Sequence, residues 1–179
     1  MNESEGSFEL TVADIGFGGD GVGRDSEGRA VFVPFAAIGD CLRVQVTDAH
    51  AKYCRADIVD ILTPGPGRTV PRCPHYGRCG GCVYQHLSYE AEIDAKKGQL
   101  LSLLTRVGGV QQLPPLDAVI PSPKLFEYRN KLKLQPVVLD PGTEDRLVTY
   151  GYCERDNVTL FELDACPLAH ASLNHLLPR

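Results

Sequence analysis

Residues 7 to 24 read SFELTVADIGFGGDGVGR. The first half alternates apolar side chains with polar or small ones, which is typical of a strand with one buried face. The second half is a Gly-rich turn over residues 16 to 23. This combination of strand and turn predicts β structure in the first part of the chain.

The residues that follow continue the pattern of short strands. Leu42, Val44 and Val46 alternate again, and residues 30 to 35 and 53 to 62 form two further apolar-rich runs. About five short strands without a helical period favour a small closed barrel of the oligonucleotide-binding (OB) type, because closure removes exposed strand edges.

The domain boundary is predicted at residues 63 to 68, TPGPGR, because prolines lack the amide donor that a strand ladder needs. We therefore predict a barrel domain over residues 1 to 64 and a second domain over residues 65 to 179. The predicted fold class is mainly β with one clear helix.

The second domain is predicted to contain that helix and a β-sheet. Ser88 is the expected N-cap and Gly108 the expected stop. The predicted apolar face of the helix comprises Ile93, Leu100, Leu101, Leu104 and Val107. Strands are predicted at residues 124 to 139, 146 to 152 and 158 to 163.

The turn from Gly16 to Gly21 has the G-x-G-x-x-G spacing of dinucleotide-binding loops. Such loops hold a pyrophosphate at the N-terminus of a following helix, whereas another strand pattern follows here. We therefore interpret it as a turn whose backbone and Phe17 face nucleic acid.

Three cysteines lie close together in residues 73 to 82, CPHYGRCGGC, a C-x5-C-x2-C run. Thiols at this spacing can surround one metal ion or cluster, and the Gly80-Gly81 pair lets backbone donors approach cluster sulfurs. Cys166 precedes Pro167, as cluster-binding cysteines often precede proline, and is the candidate fourth ligand. The predicted iron-sulfur ligands are Cys73, Cys79, Cys82 and Cys166.

Two alternatives to a cluster stay open. Zinc also binds thiolates, although structural zinc sites usually present two C-x2-C pairs and only one is present here. The other alternative is a set of uncomplexed thiols. The remaining cysteines are interpreted as small buried hydrophobic residues, namely Cys41, Cys54 and Cys153.

The net charge of -5 conceals a basic middle part. Residues 61 to 139 contain ten Lys or Arg against five Asp or Glu. Within it, Arg129, Lys131 and Lys133 lie on one face of the predicted strand, next to Asn130 in sequence. Such cations can follow an RNA phosphate backbone, and the alternative is an ordinary solvated sheet face.

The length and composition limit the class of protein. The 179 residues suffice for one medium domain or two small ones, without a cofactor-binding domain as well. No run of about 18 apolar residues is present, and the first residues are acidic rather than apolar. These features predict a soluble, cytoplasmic, monomeric protein that has no membrane partner.

The motifs taken together resemble the uracil-5 methyltransferases that modify ribosomal RNA, in the branch with an N-terminal TRAM domain and a 4Fe-4S cluster. The similarity covers nearly all of the chain. Its motifs are Gly16 to Gly23, Val31 to Pro34, Gly39-Asp40, Cys73 to Cys82, Gln85 to Leu87, Tyr128 to Lys131, Gly151-Tyr152 and Cys166 to Leu168.

The resemblance implies that an OB-like TRAM barrel and the central sheet hold RNA, with 23S ribosomal RNA as the expected partner. It also implies that Cys166 completes a four-cysteine ligand set, and that Arg129 and its neighbours face the RNA. In complete enzymes, a C-terminal Rossmann-like domain binds S-adenosylmethionine and carries the catalytic cysteine.

That catalytic domain is expected to be absent here, so this chain alone is expected to be an inactive, truncated portion of such an enzyme. A different class of function is the alternative. It is a stand-alone RNA-binding adapter with a four-cysteine zinc or iron-sulfur site.

Overall fold

The structure is a computed structural model that describes residues 7–139 and 147–177. The chain divides into two compact units, one of residues 1–70 and 83–121 and the other of residues 71–82 and 122–179. The helix predicted for the second domain therefore groups with the N-terminal strands in the first unit.

The first unit contains a curled six-stranded sheet in the order β1-β5-β6-β4-β3-β2. Neighbouring strands are antiparallel except β4 and β6, which are parallel. The strands are β1 Ser7–Thr11, β2 Asp14–Ile15, β3 Gly21–Arg24, β4 Ala30–Val33, β5 Cys41–Ala49 and β6 Tyr53–Thr63.

The strand predicted at residues 7 to 15 is divided in two, because the chain changes its pairing partner there. The amide of Val12 donates to the carbonyl of Asp40, whereas the amide of Ala13 donates to the carbonyl of Val22. Residues 12 and 13 thus join β1 and β2, which occupy the two ends of the sheet. The sheet must curl for two residues to link its ends.

The core of the first unit lies inside this curl. It is formed by aliphatic side chains of alternate strand positions that are almost completely buried, among them Leu10, Val31, Val33, Leu42 and Val44. The alternation of apolar residues in β5 therefore reflects one buried face of the strand, as predicted.

A buried ion pair joins the residue before β5 to the turn after β6. Asp40 is fully buried and accepts hydrogen bonds from the amides of Ala37 at 2.6 Å and Gly65 at 2.7 Å. It also accepts from the guanidinium of Arg68, with Nε at 2.9 Å. The Pro- and Gly-rich segment is therefore fastened to the first unit.

Helix α1 spans Tyr89–Ser102, and Ser88 is its N-cap, as predicted, with a side chain that accepts from the amide of Ala91. A π-helical turn, Leu103–Val107, continues it to Gly108. The helix packs against Ile15 and Ala37 mainly through Ala91 and Ala95.

The predicted apolar face of α1 is wrong in part. Leu100 and Val107 are 47% and 80% exposed, whereas Ala95 is buried. Small alanine side chains let the helix approach Ile15 and Ala37 closely.

The second unit contains a three-stranded antiparallel sheet in the order β7-β8-β9. Its strands are β7 Gln135–Leu139, β8 Leu147–Cys153 and β9 Leu160–Glu162. A short second helix, α2, spans Ala171–Asn174.

The predicted strand at residues 124 to 139 is present only over its last five residues. Glu127 has a positive φ of 58°, which interrupts an extended conformation. The backbone of Arg129 bonds instead to Leu168 and His170. Residues 127 and 129 therefore bond to the segment that follows Cys166, and residues 124 to 134 form no strand with the other described residues.

Gly151 of β8 is expected to tolerate no side chain. A Cβ at this position would lie 1.8 Å from the carbonyl oxygen of Phe161. We expect Gly151→Ala to destabilise the second unit by about 1–3 kcal/mol, because the backbone must shift to admit the methyl group. Urea unfolding followed by circular dichroism measures this.

Gly98→Ala is the matched control for Gly151→Ala. A Cβ at Gly98 in α1 meets no atom within 4 Å, and the change should stabilise the helix by roughly 0.5–1 kcal/mol. Equal stability of the Gly151→Ala variant and the unaltered chain would contradict the close strand contact.

Among the described residues, no helix is long and apolar enough to cross a membrane.

Candidate cysteine site and nucleic-acid interface

The four predicted ligand cysteines all belong to the second unit. Cys73, Cys79 and Cys82 lie in the segment of residues 71–82, and Cys166 follows β9. All four side chains are half-buried. We refer to these four residues as the cysteine set.

One side of the cysteine set rests on an apolar cluster. Phe161, Leu163 and Leu177 are buried there, and Cys79 and Cys166 pack against them. The cluster brings a cysteine of the 71–82 segment and the distant Cys166 to the same apolar support.

The thiols of the set influence one another electrostatically. Burial raises the pKa of the Cys73 thiol above its ordinary value, and the charges of the other three thiols of the set raise it further. The pKa of the Cys79 thiol is likewise raised, by burial first and then by Cys82 and Cys166. Four thiolates gathered here would repel one another, so a bound cation would favour their charged form.

Backbone amides point toward the sulfur atoms of two of these residues. The amide of Gly81 donates to Cys79 Sγ at 3.4 Å. The amide of His75 also hydrogen-bonds to Cys73 and opposes the rise of that thiol's pKa. The sequence-based expectation of backbone donors beside the Gly80-Gly81 pair agrees with the Gly81 contact.

The segment of residues 71–82 is fastened to the sheet of the second unit. The amide of Gly80 donates to the carbonyl of Cys153 at 3.2 Å, and Arg78 Nε lies 2.7 Å from Glu154 Oε1. A Cβ at Gly80 would lie 2.9 Å from the carbonyl oxygen of Glu154. Gly80 is therefore needed for the close approach of the two backbones.

A second tie involves His75, whose Nε2 lies 2.6 Å from Asp164 Oδ1. This contact lowers the pKa of the Asp164 carboxyl. It links the residues just after Cys73 to those just before Cys166, so both parts of the cysteine set are cross-connected by polar contacts.

In the part of the chain that the structure describes, no three or more His, Cys, Asp or Glu side chains are arranged to hold a metal ion. The chemistry of the cysteine set nevertheless fits a thiophilic group. It offers four sulfur donors, which suit an iron-sulfur cluster or zinc better than hard cations.

Arg129 lies beside the cysteine set and is half-buried. Its charge lowers the pKa of Cys79, and it interacts with Cys82 and Tyr152. In contrast, Asn130, Lys131 and Lys133 are exposed. Arg129 is therefore less exposed than the two lysines with which it is grouped in the sequence.

Phe17 belongs to the first unit, where it is 80% exposed in the turn between β2 and β3. The residues that hold this turn, Tyr84 and Gln99, were missed in the sequence. Gln99 bonds to the carbonyl of Gly16, and Tyr84 bonds to Gln99. No local sequence pattern indicates these contacts, because the partners are far apart in the chain.

Comparison with known protein families supports the assignment of the first unit. Residues 7–59 match the TRAM domain family.

Proteins named as RNA methyltransferases match nearly the whole chain. An uncharacterized RNA methyltransferase of Synechocystis sp. is 36% identical over 169 residues, or 94% of this chain and 35% of that protein. A 23S rRNA uracil-C5 methyltransferase of Halomonas elongata is 34% identical over 174 residues, or 97% of this chain and 35% of that protein. The chain thus spans about a third of the length of these curated relatives.

A solved structure shares the fold. It is a tRNA uracil-C5 methyltransferase of Pyrococcus abyssi in complex with S-adenosyl-L-homocysteine. The similarity covers 93% of this chain and 34% of that chain, with a TM-score of 0.54 and 24% identity. Along nearly all of its length, the chain is similar to proteins named as RNA methyltransferases, and its residues 7–59 match the TRAM domain family.

Proposed function

We propose that this chain is the N-terminal, RNA-binding and 4Fe-4S-binding portion of an S-adenosylmethionine-dependent ribosomal RNA uracil-5 methyltransferase. The observation that carries the proposal is the match of nearly the whole chain to RNA methyltransferases, together with the TRAM match at residues 7–59. The expected RNA is 23S ribosomal RNA, because the relative from Halomonas elongata is named for that substrate.

The proposed ligands of the cluster are the four cysteines of the cysteine set. Their sulfur-only donor chemistry, their mutual electrostatic influence and the amide donors at Cys73 and Cys79 support this assignment. A cluster held there would cross-link the segment of residues 71–82 to Cys166. Its proposed role is structural, because four cysteine ligands leave no open coordination position on the iron.

Arg129 is proposed to have two roles, one in offsetting the charge of the cysteine set and one in contacting RNA. A half-buried guanidinium beside thiolates offsets their negative charge. The proposed RNA contacts are Lys131, Lys133 and Asn130 in the second unit, all exposed, and Phe17 in the first unit.

Methyl transfer is proposed to occur in residues outside this chain, since the chain spans only about a third of its relatives. S-adenosylmethionine would bind there, and the chain on its own would bind RNA without turnover. We further propose that the protein acts as a monomer in the cytoplasm.

RNA binding by the full chain is testable through its salt dependence. For a single-stranded RNA, each phosphate contact contributes roughly 0.7 to the slope of log affinity against log salt concentration. We expect Lys131→Gln with Lys133→Gln to reduce this slope by about 1.4, because two phosphate contacts are lost. Fluorescence anisotropy with a labelled RNA over a salt series measures it.

The matched control removes two other exposed cations, through Lys52→Gln with Arg106→Gln. This pair should leave the slope near that of the unaltered chain. An equal loss in both double variants would indicate a diffuse charge effect, and the assignment of Lys131 and Lys133 would then fail.

A further inference from the structure

The turn of residues 16 to 20, here termed the Phe17 loop, is unusually well fixed for an exposed turn. The amide of Gly16 donates to the carbonyl of Asp20 at 2.8 Å, and the amide of Gly19 donates to the carbonyl of Gly16 at 3.1 Å. Gly18 and Gly19 adopt φ angles of 100° and 101°, which only glycine adopts readily. The loop backbone therefore has a defined conformation.

A side chain of helix α1 hydrogen-bonds to the first residue of the Phe17 loop. Gln99 donates through Nε2 to the carbonyl oxygen of Gly16 at 2.9 Å. The hydroxyl of Tyr84 lies 3.2 Å from Gln99 Oε1 and 3.0 Å from Gln99 Nε2, so it contacts the same side-chain amide. A residue about eighty positions away in sequence thus determines where the loop sits.

Apolar packing supports the same contact. Ile15, directly before the loop, is buried with Ala95 of α1, and Tyr84 packs against this cluster. A Cβ at Gly19 would lie 3.1 Å from the Cβ of Val83 and 3.4 Å from Tyr84 Cε1. The loop is therefore seated against residues 83 and 84 as well as against Gln99.

Two exposed cations are attached to the groups that hold the Phe17 loop. Arg55 Nη1 lies 3.1 Å from Asp20 Oδ2, and Lys96 Nζ lies 5.3 Å from the centre of the Tyr84 ring. Both side chains are about half exposed. An exposed aromatic ring is thus presented by a fixed loop with two half-exposed cations at its supports, Arg55 in an ion pair with Asp20 and Lys96 in an ion pair with Glu92.

We infer that Phe17 is a stacking platform for an unpaired base of single-stranded RNA, and that Gln99 is the positioning residue for it. A base offers a flat face to an aromatic ring, while cations such as Arg55 and Lys96 attract the adjoining phosphates. A loop fixed in advance loses little conformational entropy when the base binds. The inference rests on the proposed RNA-binding function and assigns one contact within it.

The test uses the full chain and a short fluorescein-labelled single-stranded RNA in fluorescence anisotropy. Phe17→Ala should weaken binding by roughly 5- to 150-fold, the range for loss of one base-aromatic stack. Phe17→Tyr should bind like the unaltered chain, because it keeps the ring. Ile120→Ala is the control, since it removes a side chain that is 92% exposed in the same unit.

Gln99→Met tests the positioning role, because methionine is neutral and of similar length but cannot donate to Gly16. It should weaken binding in the unaltered background and have no further effect combined with Phe17→Ala, since both changes disable one contact. A merely structural role for Gln99 would give additive losses.

The possible failures are distinguishable. If the unaltered chain binds the RNA and Phe17→Ala binds equally well, the stacking inference is wrong while RNA binding stands. If the unaltered chain does not bind the RNA even at low salt, the proposed RNA-binding function is wrong and this inference falls with it.

Discussion

Asp40→Ala is expected to lower the free energy of unfolding of the first unit by about 3–5 kcal/mol, the usual cost of removing one partner from a buried ion pair. Asp40 is fully buried, and the side chain of Arg68 is only 15% exposed. Without the carboxylate, Arg68 would keep a poorly solvated charge, and the amides of Ala37 and Gly65 would lose their acceptor.

The measurement for Asp40→Ala is urea unfolding combined with hydrogen exchange at the β5 amides, which reports the first unit specifically. Asp48→Ala is the matched control, because its contact with His50 is exposed and should contribute less than about 1 kcal/mol. Similar losses in both variants would contradict the importance assigned to the buried pair.

The same ion pair predicts how stability depends on pH. Burial alone would raise the pKa of Asp40, but hydrogen bonds from Arg68, Gly65 and Ala37 lower it below its ordinary value of 3.8. A lowered folded-state pKa gives stability that is present above the unfolded-state pKa and lost as pH falls through the folded value. The first unit should therefore lose this contribution only below about pH 4, and Asp40→Asn should lack it.

Under the proposed iron-sulfur assignment, Cys166→Ser is expected to lose most of the iron and acid-labile sulfide measured in the unaltered chain. Three cysteines of the 71–82 segment would remain, but the cluster would lose the one ligand that comes from beyond β9. The second unit should unfold at a lower urea concentration too, because bound metal stabilises only the folded state.

Cys153→Ser is the matched control for Cys166→Ser. It changes a half-buried cysteine of the same unit that is not in the cysteine set. Its iron and sulfide content should equal that of the unaltered chain. If Cys166→Ser retained full iron and sulfide, the fourth ligand would have to be another residue.

The strands of the first unit were predictable because their core is built from period-two alternation. Leu42 and Val44 point inward as the sequence indicated. The change of partner at Val12 and Ala13 was not predictable, because nothing local distinguishes these residues from the rest of a strand. It follows from the closure of the sheet, which is a long-range property.

For helix α1, the sequence predicts that the helix exists but does not predict which of its faces is buried. Its N-cap at Ser88 could be identified from the sequence, because capping depends on neighbouring residues. Its buried face could not be, because Ala95 is buried by close approach to Ile15 while the larger Leu100 is half exposed. Ala95 is buried here because its small side chain permits close packing, and not because it is the most hydrophobic residue of the helix.

The basic segment of residues 124 to 134 explains the main error in the second unit. Its alternation persists, since Lys131 and Lys133 are exposed while Leu132 and Leu134 are half-buried. Within the described part of the chain no strand pairs with it, however, and alternation alone cannot supply a hydrogen-bonding partner. For the same reason, the position of Arg129 beside the cysteine set could not be inferred from spacing.

The cysteine set was identified from the sequence alone, and its role as a ligand set stays a prediction. Three of its members are close in sequence, and Cys166 was identified by the proline that follows it. Gln99 and Tyr84 were unpredictable, because a single hydrogen bond from a helix to a distant loop leaves no pattern in either segment.

The iron, acid-labile sulfide and zinc content of the unaltered chain, purified without oxygen, tests the central claim that the cysteine set binds an iron-sulfur cluster. About four irons and about four sulfides per chain, with little zinc, are the predicted result. One zinc per chain without sulfide would contradict the cluster and would favour an RNA-binding adapter with a four-cysteine zinc site.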